Sequence, residues 1–358
     1  MSPGAPELVP LPAQPAGVPW PTTEWPTRPP APGVGGALDA LLDAVCDDDG
    51  PLATTYAVVV VQRGAIVAER YQGQLEHFDR PPDPVTPQTR LLSWSMAKSM
   101  LHAVVGMLVD EGRLRPEEPA AVPEWAEPGD ERQAITLEHL LAMRDGLHWN
   151  EDYVDDRVSD VIEMLFGKGD ADMAHFAADR PLAVAPGSRF NYSSGTTNII
   201  SGIVARALGP GAPYERFVSE RLFGPLGMDS ARATFDDAGT WIASSFVHAT
   251  ARDFARFGLR YLRGGIYDGE RLLSADWVDG ARAARSVDVS DHSLYSLQWW
   301  VIDDGYGTFR AAGFEGQTIM LCPALDLIVV RCGKTPDERS AELVRWRAEV
   351  VAALAAAR

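Results

Sequence analysis

The sequence predicts an α+β fold: an antiparallel sheet flanked by helices, with a long and mostly helical insert. Three observations carry this expectation. β-rich runs at residues 56–62 and 65–71 are matched by four more in the last third of the chain. Neighbouring runs are joined by short loops, which suits antiparallel rather than parallel pairing. Between the two groups, apolar residues recur with helical rather than alternating spacing.

Taken in order, residues 1–33 hold 11 of the 27 prolines. That density excludes helix and central strand. It leaves an extended segment anchored through Trp20 and Trp25, or a disordered tail. Leu38, Leu41, Leu42 and Val45 recur at i, i+3, i+4 and i+7, as on one face of a helix. Arg63-Gly64 separates two Val-rich runs, which reads as a hairpin. Over 95–111, Met96, Met100, Leu101, Val104, Val105, Leu108 and Val109 form a wide apolar helix face that Gly112 is placed to end. Thr136 is expected to cap a helix that has Glu138 in its first turn and reaches Gly146.

Further helices are expected at 196–208, closed by Gly209-Pro210, and from Thr250 to Gly264-Gly265. Strands are expected at 296–302, 307–312, 317–322 and 326–332, and a final helix at 338–357. The expected organisation is a proline-rich extension, 1–36, and a catalytic domain, 37–358. Within that domain 37–90 and 236–358 form the α/β part and 91–235 the helical part.

Composition narrows the function. The net charge of −18 disfavours nucleic acid and anionic membranes as partners. Three cysteines without a CxxC pair supply neither a disulfide framework nor a zinc cluster, and neither metal nor cofactor is expected. The first residues lack the basic and apolar regions of a signal peptide, and no window holds eighteen uninterrupted apolar residues. A cytoplasmic enzyme acting on a small molecule, with a homodimer left open, is the expectation.

Ser95-Met96-Ala97-Lys98 is the first chemical candidate. Residues three apart on a helix share a face. A serine hydroxyl attacks well only when a base takes its proton, and a lysine serves if burial lowers its pKa. With 19 serines and three lysines, about 0.16 chance SxxK matches are expected, so the motif is weak alone. Its context is more specific. Arg90-Leu91-Leu92-Ser93-Trp94 precedes it, and Ile135-Thr136-Leu137-Glu138-His139-Leu140-Leu141 and Phe190-Asn191-Tyr192-Ser193-Ser194 follow.

With these motifs in this order over residues 37–355, the chain resembles the serine β-lactamase-like hydrolases. That superfamily includes class C β-lactamases, DD-peptidases, family VIII carboxylesterases and nylon-oligomer hydrolases. Trp149-Asn150-Glu151-Asp152-Tyr153-Val154-Asp155, Gln298-Trp299-Trp300 and Gly316-Gln317 look most like the nylon-oligomer branch. The resemblance implies a β-lactamase/DD-peptidase-like fold. It makes Ser95 the acylated nucleophile, Lys98 its proton acceptor and Tyr192 a second general base. The backbone N–H groups of Ser95 and Phe314 would form the oxyanion hole, and Tyr153 would sit on a mobile loop and hydrogen-bond the substrate. Trp149, Ser194, Gly313 and Glu315 complete the expected substrate-binding set.

Two departures separate the chain from penicillin-binding members. Ser194 stands where they hold Asn, and Ala311-Ala312-Gly313 stands where they hold Lys-Thr-Gly. The segment between Tyr153 and Tyr192 is shorter than in nylon-oligomer hydrolases. Gly333-Lys334-Thr335-Pro336 is read as a surface turn after the last strand, and His102 as a structural or polar-face histidine. Trp94, Trp149, Trp299, Trp300 and Phe314 fit an aromatic-walled cleft, and also plain core packing. An amidase or esterase leads; a β-lactamase or DD-peptidase and a non-catalytic binding module on the same fold are the alternatives.

Overall fold

The structure, a computed structural model, describes residues 8–47, 50–76, 80–153 and 159–356. An eight-stranded antiparallel sheet forms its centre. Its strands are β1 (Thr54–Gln62), β2 (Ala65–Tyr71), β3 (Ser286–Val287), β4 (Leu294–Tyr295), β5 (Trp300–Val301), β6 (Phe309–Gly313), β7 (Gln317–Cys322) and β8 (Leu327–Lys334). They lie in the order β3-β4-β5-β6-β7-β8-β1-β2, so both ends of the chain build one sheet.

The helices are α1 (Gly35–Val45), α2 (Met96–Asp110), α3 (Leu137–Leu141), α4 (Asp160–Phe166), α5 (Met173–Ala178), α6 (Ser194–Leu208), α7 (Ala212–Phe217), α8 (Ala251–Leu262), α9 (Ala275–Arg282) and α10 (Ser340–Ala355). Alternation along the strands feeds two cores. Val59, Val61, Ile319, Leu321, Ile328 and Val330 join the larger core with α2 and α8. Val58, Val60, Met320 and Val329 join a smaller one with α1 and α10. Buried on both faces, the central strands read as continuous apolar runs rather than alternating ones.

Helix α2 is buried all round from Met96 to Leu108, which is why a polar side chain on it loses contact with water. Its start is set by Trp94, which takes a positive φ of 45° just before Ser95. A bulky residue in that region is strained and must be held by its surroundings. Ser93 supplies part of the hold, donating from N to Val247 O and from Oγ to Ser245 O.

The proline-rich segment is laid on the body from residue 8 onward. Trp25 is buried and donates to Arg252 O, while Arg256 donates to the carbonyls of Pro21 and Thr23. The Trp20 ring packs on Tyr267 at 5.1 Å. Ala357, expected in the last helix, lies outside the described residues, as do Val154 and Asp155.

Several local expectations are corrected. Helix α3 stops at Leu141 rather than Gly146, because Met143 turns to φ 55°. Thr136 caps it and Glu138 lies in its first turn, both as expected, and His139 Nδ1 accepts from the Thr136 N–H in return. The strand expected at 296–302 shrinks to β5, since Gln298 takes φ 61° and donates from its backbone N–H to Leu141 O. Gly333-Lys334-Thr335-Pro336 is not a surface turn. Strand β8 continues through Lys334, and buried Thr335 donates to Leu52 O at 2.8 Å. Among the described residues no helix is long and apolar enough to cross a membrane, and no group of three His, Cys, Asp or Glu could hold a metal.

Candidate active site

The site forms where the start of α2 meets the start of α6 and the end of β6. Ser95 sits at the head of α2, 7% exposed, and Lys98 lies one turn on at 1%. Lys98 Nζ is 2.9 Å from Ser95 Oγ, 3.0 Å from Ser194 Oγ and 2.9 Å from the Ser244 carbonyl oxygen. Burial lowers the Lys98 pKa to about 8, against an opposing pull from the Glu151 charge. An amine so tuned is partly neutral near neutral pH and faces a hydroxyl at proton-transfer distance.

Tyr192 comes from the segment that leads into α6. Lys98 Nζ stands 5.0 Å from the centre of its ring. Burial, and then the Glu151 charge, push the phenol above its ordinary range, while a hydrogen bond with Ser95 acts the other way. Hydroxyl, amine and phenol, spread over 98 positions of chain from 95 to 192, therefore converge.

Phe314 follows β6. A Cβ on Gly313 would fall 2.4 Å from Ser93 O and 3.1 Å from Trp94 Cβ, so only glycine lets the strand end approach the residues before Ser95. The Phe314 ring stacks on Tyr153 at 4.7 Å and meets Trp94 edge-on at 5.6 Å. Trp300 stacks on Tyr192 at 5.5 Å. These rings wall the site, whereas Trp299 does not. It is fully buried in the core against Tyr261 and Phe309, which corrects the expectation that it fits the cleft.

A carboxylate given no role at the outset organises the substrate side. Glu151 Oε2 accepts from Ser194 N at 2.8 Å and Trp149 Nε1 at 2.5 Å. Its Oε1 accepts from Ser194 Oγ at 2.5 Å and Tyr153 OH at 2.7 Å. Three of the expected binding residues thus hang on one side chain. The carboxylate also sits at the N-terminus of α6, where it takes the Ser194 backbone N–H and faces the positive end of the helix.

Trp149 is mostly enclosed, its ring filling the space that a Cβ on Gly195 would need. Tyr153 OH lies 3.5 Å from Ser194 Oγ. Glu315, at φ 57°, borders a cavity of about 790 Å³ together with Trp94, Arg90 and His248. Its backbone carbonyl is held by Arg331.

Two further residues were given no role by the sequence, although Gln298 stands in one of the quoted motifs. Ser244 contributes only a backbone oxygen, which no motif can show. Gln298 ties three helices to the sheet, taking bonds from Ser99 Oγ and Thr197 Oγ1 and donating to Leu141 O. His102 is structural, as expected, but it is wholly buried rather than on a polar face. Its Nδ1 meets Tyr261 OH at 2.7 Å and its ring stacks on Trp277.

The Beta-lactamase family profile matches residues 51–353. The chain is 30% identical over 320 residues to a 6-aminohexanoate-dimer hydrolase of Paenarthrobacter ureafaciens, covering 84% of this chain and 78% of that one. Among solved structures, a family VIII carboxylesterase superposes with a TM-score of 0.69 at 15% identity, covering 90% of this chain and 99% of the other. A penicillin-binding protein homologue from Caulobacter crescentus gives 0.67 at 19%, with 90% and 99% covered. The chain belongs to the Beta-lactamase family and is a serine hydrolase.

Proposed function

We propose that the protein hydrolyses small linear amides or carboxylic esters through an acyl-Ser95 intermediate. Lys98 takes the hydroxyl proton as Ser95 Oγ attacks the carbonyl carbon. The oxyanion that forms is met by the backbone N–H groups of Ser95 and Phe314. Tyr192 passes its phenol proton to the departing amine or alcohol and regains one from the water that splits the acyl-enzyme, as Lys98 returns its proton to Ser95 Oγ. Acid and base roles thus alternate on residues already in contact.

The observation that carries this reading is the 2.9 Å contact between Ser95 Oγ and a lysine whose pKa burial lowers to about 8. Tyr153 and Ser194, held by Glu151, are suited to bind the substrate beside the nucleophile, with Trp149 positioning Glu151 from behind. The cavity bordered by Glu315 and by Trp94, the residue before Ser95, is where a small acyl or leaving group would extend. The name of the Paenarthrobacter relative points to linear amides. A β-lactam fits less well, because Ala311 and Ala312 offer neither the cation nor the hydroxyl that grips its carboxylate.

A panel of short linear amides and activated esters, run beside a chromogenic cephalosporin, tests the substrate class. Turnover of the first group with little of the second is expected, and the reverse would replace this reading with a β-lactamase. A phosphonate inhibitor should leave a mass adduct on Ser95, and Ser95→Ala should abolish both adduct and turnover. Full activity in Ser95→Ala would end the scheme.

A further inference from the structure

A second cavity, of about 580 Å³, lies on the far side of Trp300, between the β5–β6 pair and α10. Strand alternation builds its floor. Phe309 and Ala311 enter the larger core, so Arg310 between them faces α10, in register with Trp300 on one side and Met320 on the other. Arg347 reaches the cavity from α10 at 6% exposure.

Among the described residues, buried arginine nitrogens without a partner also occur at Arg180, Arg260 and Arg263, but here two such arginines border one cavity. Arg310 Nε and Arg347 Nη1 are buried with no hydrogen-bond partner among the described residues, and so is Thr308 Oγ1 on the same wall. Arg331, on the same sheet face, is the contrast. It donates to the carbonyls of Thr54, Glu315 and Gly316 and to Thr55 Oγ1. Burial, followed by the nearby Arg310 charge, holds Arg347 well below the ordinary arginine range. Like charges buried together cost folding free energy unless an anion joins them.

We propose that this cavity binds a small organic monocarboxylate with an apolar chain, its carboxylate received by Arg310 and Arg347. A planar guanidinium matches a carboxylate in both geometry and charge. Trp300, Val301, Met320 and Val351 supply apolar walls for the chain. Asp291, Asp303 and Asp304 are exposed at the rim and disfavour a polyanion. Trp300 also stacks on Tyr192, so an occupant would sit one ring away from the candidate active site.

Isothermal titration calorimetry with sodium hexanoate, and separately with inorganic phosphate, tests this. Saturable one-site binding of hexanoate is expected, with phosphate at least tenfold weaker. Arg347→Met should weaken hexanoate at least tenfold while leaving ester hydrolysis unchanged. It should unfold at the same temperature as the parent or higher, since it removes an unpaired buried cation. Arg310→Met serves as the second variant should Arg347→Met not fold. Absence of saturable hexanoate binding, phosphate binding as tight as hexanoate, or affinity unchanged in the folded variants would overturn the assignment.

Discussion

Lys98 has three acceptors around Nζ, enough to satisfy a full ammonium. To accept a proton from Ser95 it must first give one up, and burial makes that accessible by lowering its pKa to about 8. We therefore expect kcat/KM to rise tenfold per pH unit below about 8 and to level above it, read from a pH–rate profile. The same shift has a stability consequence. Between pH 8 and 10.5 the unfolded chain binds a proton that the folded chain has lost, so stability rises with pH across that window.

Glu151 opposes the depression, so Glu151→Gln should move the kinetic limb to lower pH. The variant also presents an amide donor to Ser194 N–H or Oγ, and we expect kcat to fall on the order of tenfold, or ~1.4 kcal/mol. Steady-state kinetics across pH separate the two effects. The sequence contains Glu151 in plain view, but 43 positions separate it from Ser194, and no spacing rule joins them.

At the scale of elements, the decisive approach is that of β6 to the turn before α2. A methyl at Gly313 would meet a backbone oxygen at 2.4 Å, which cannot swing away as a side chain could. Gly313→Ala should destabilise by ~1–3 kcal/mol and lower turnover at least tenfold by shifting Phe314 relative to Ser95. Thermal unfolding and ester hydrolysis measured on the same variant check both. Elements whose signals are local matched well: strand β7 falls on the expected residues 317–322, and Thr136 and Thr250 cap the helices assigned to them. Elements decided by distant partners did not. The short β3 and β4 strands have no β-rich run long enough to announce them; β4 exists because β5 offers it an edge, and β3 because β4 then does.

Across the whole molecule, the extension and the buried imidazole both bear on stability. Trp25→Ala should cost about 3 kcal/mol, since the ring is buried and its Nε1 bonds to Arg252 O, whereas an unattached tail would register nothing by chemical denaturation. His102 is held neutral, with a pKa pushed by burial from 6.5 to about 3. The unfolded chain takes up the proton first, so stability present above pH 6.5 is lost as pH falls toward 3. His102→Gln should flatten that dependence in denaturant titrations at pH 4 and pH 7.

What residue order alone supplied was the class of fold, the proposed nucleophile with its two proposed partners, and the family resemblance. Helical spacing, caps and short loops are properties of neighbouring residues, and Ser95 and Lys98 meet within one helical turn. What only the folded chain decided was which far-apart groups share a space: Glu151 with Ser194, the Ser244 carbonyl with Lys98, and Arg310 with Arg347. Electrostatic coupling and desolvation depend on distance and burial in three dimensions. Neither is written in the order of the residues.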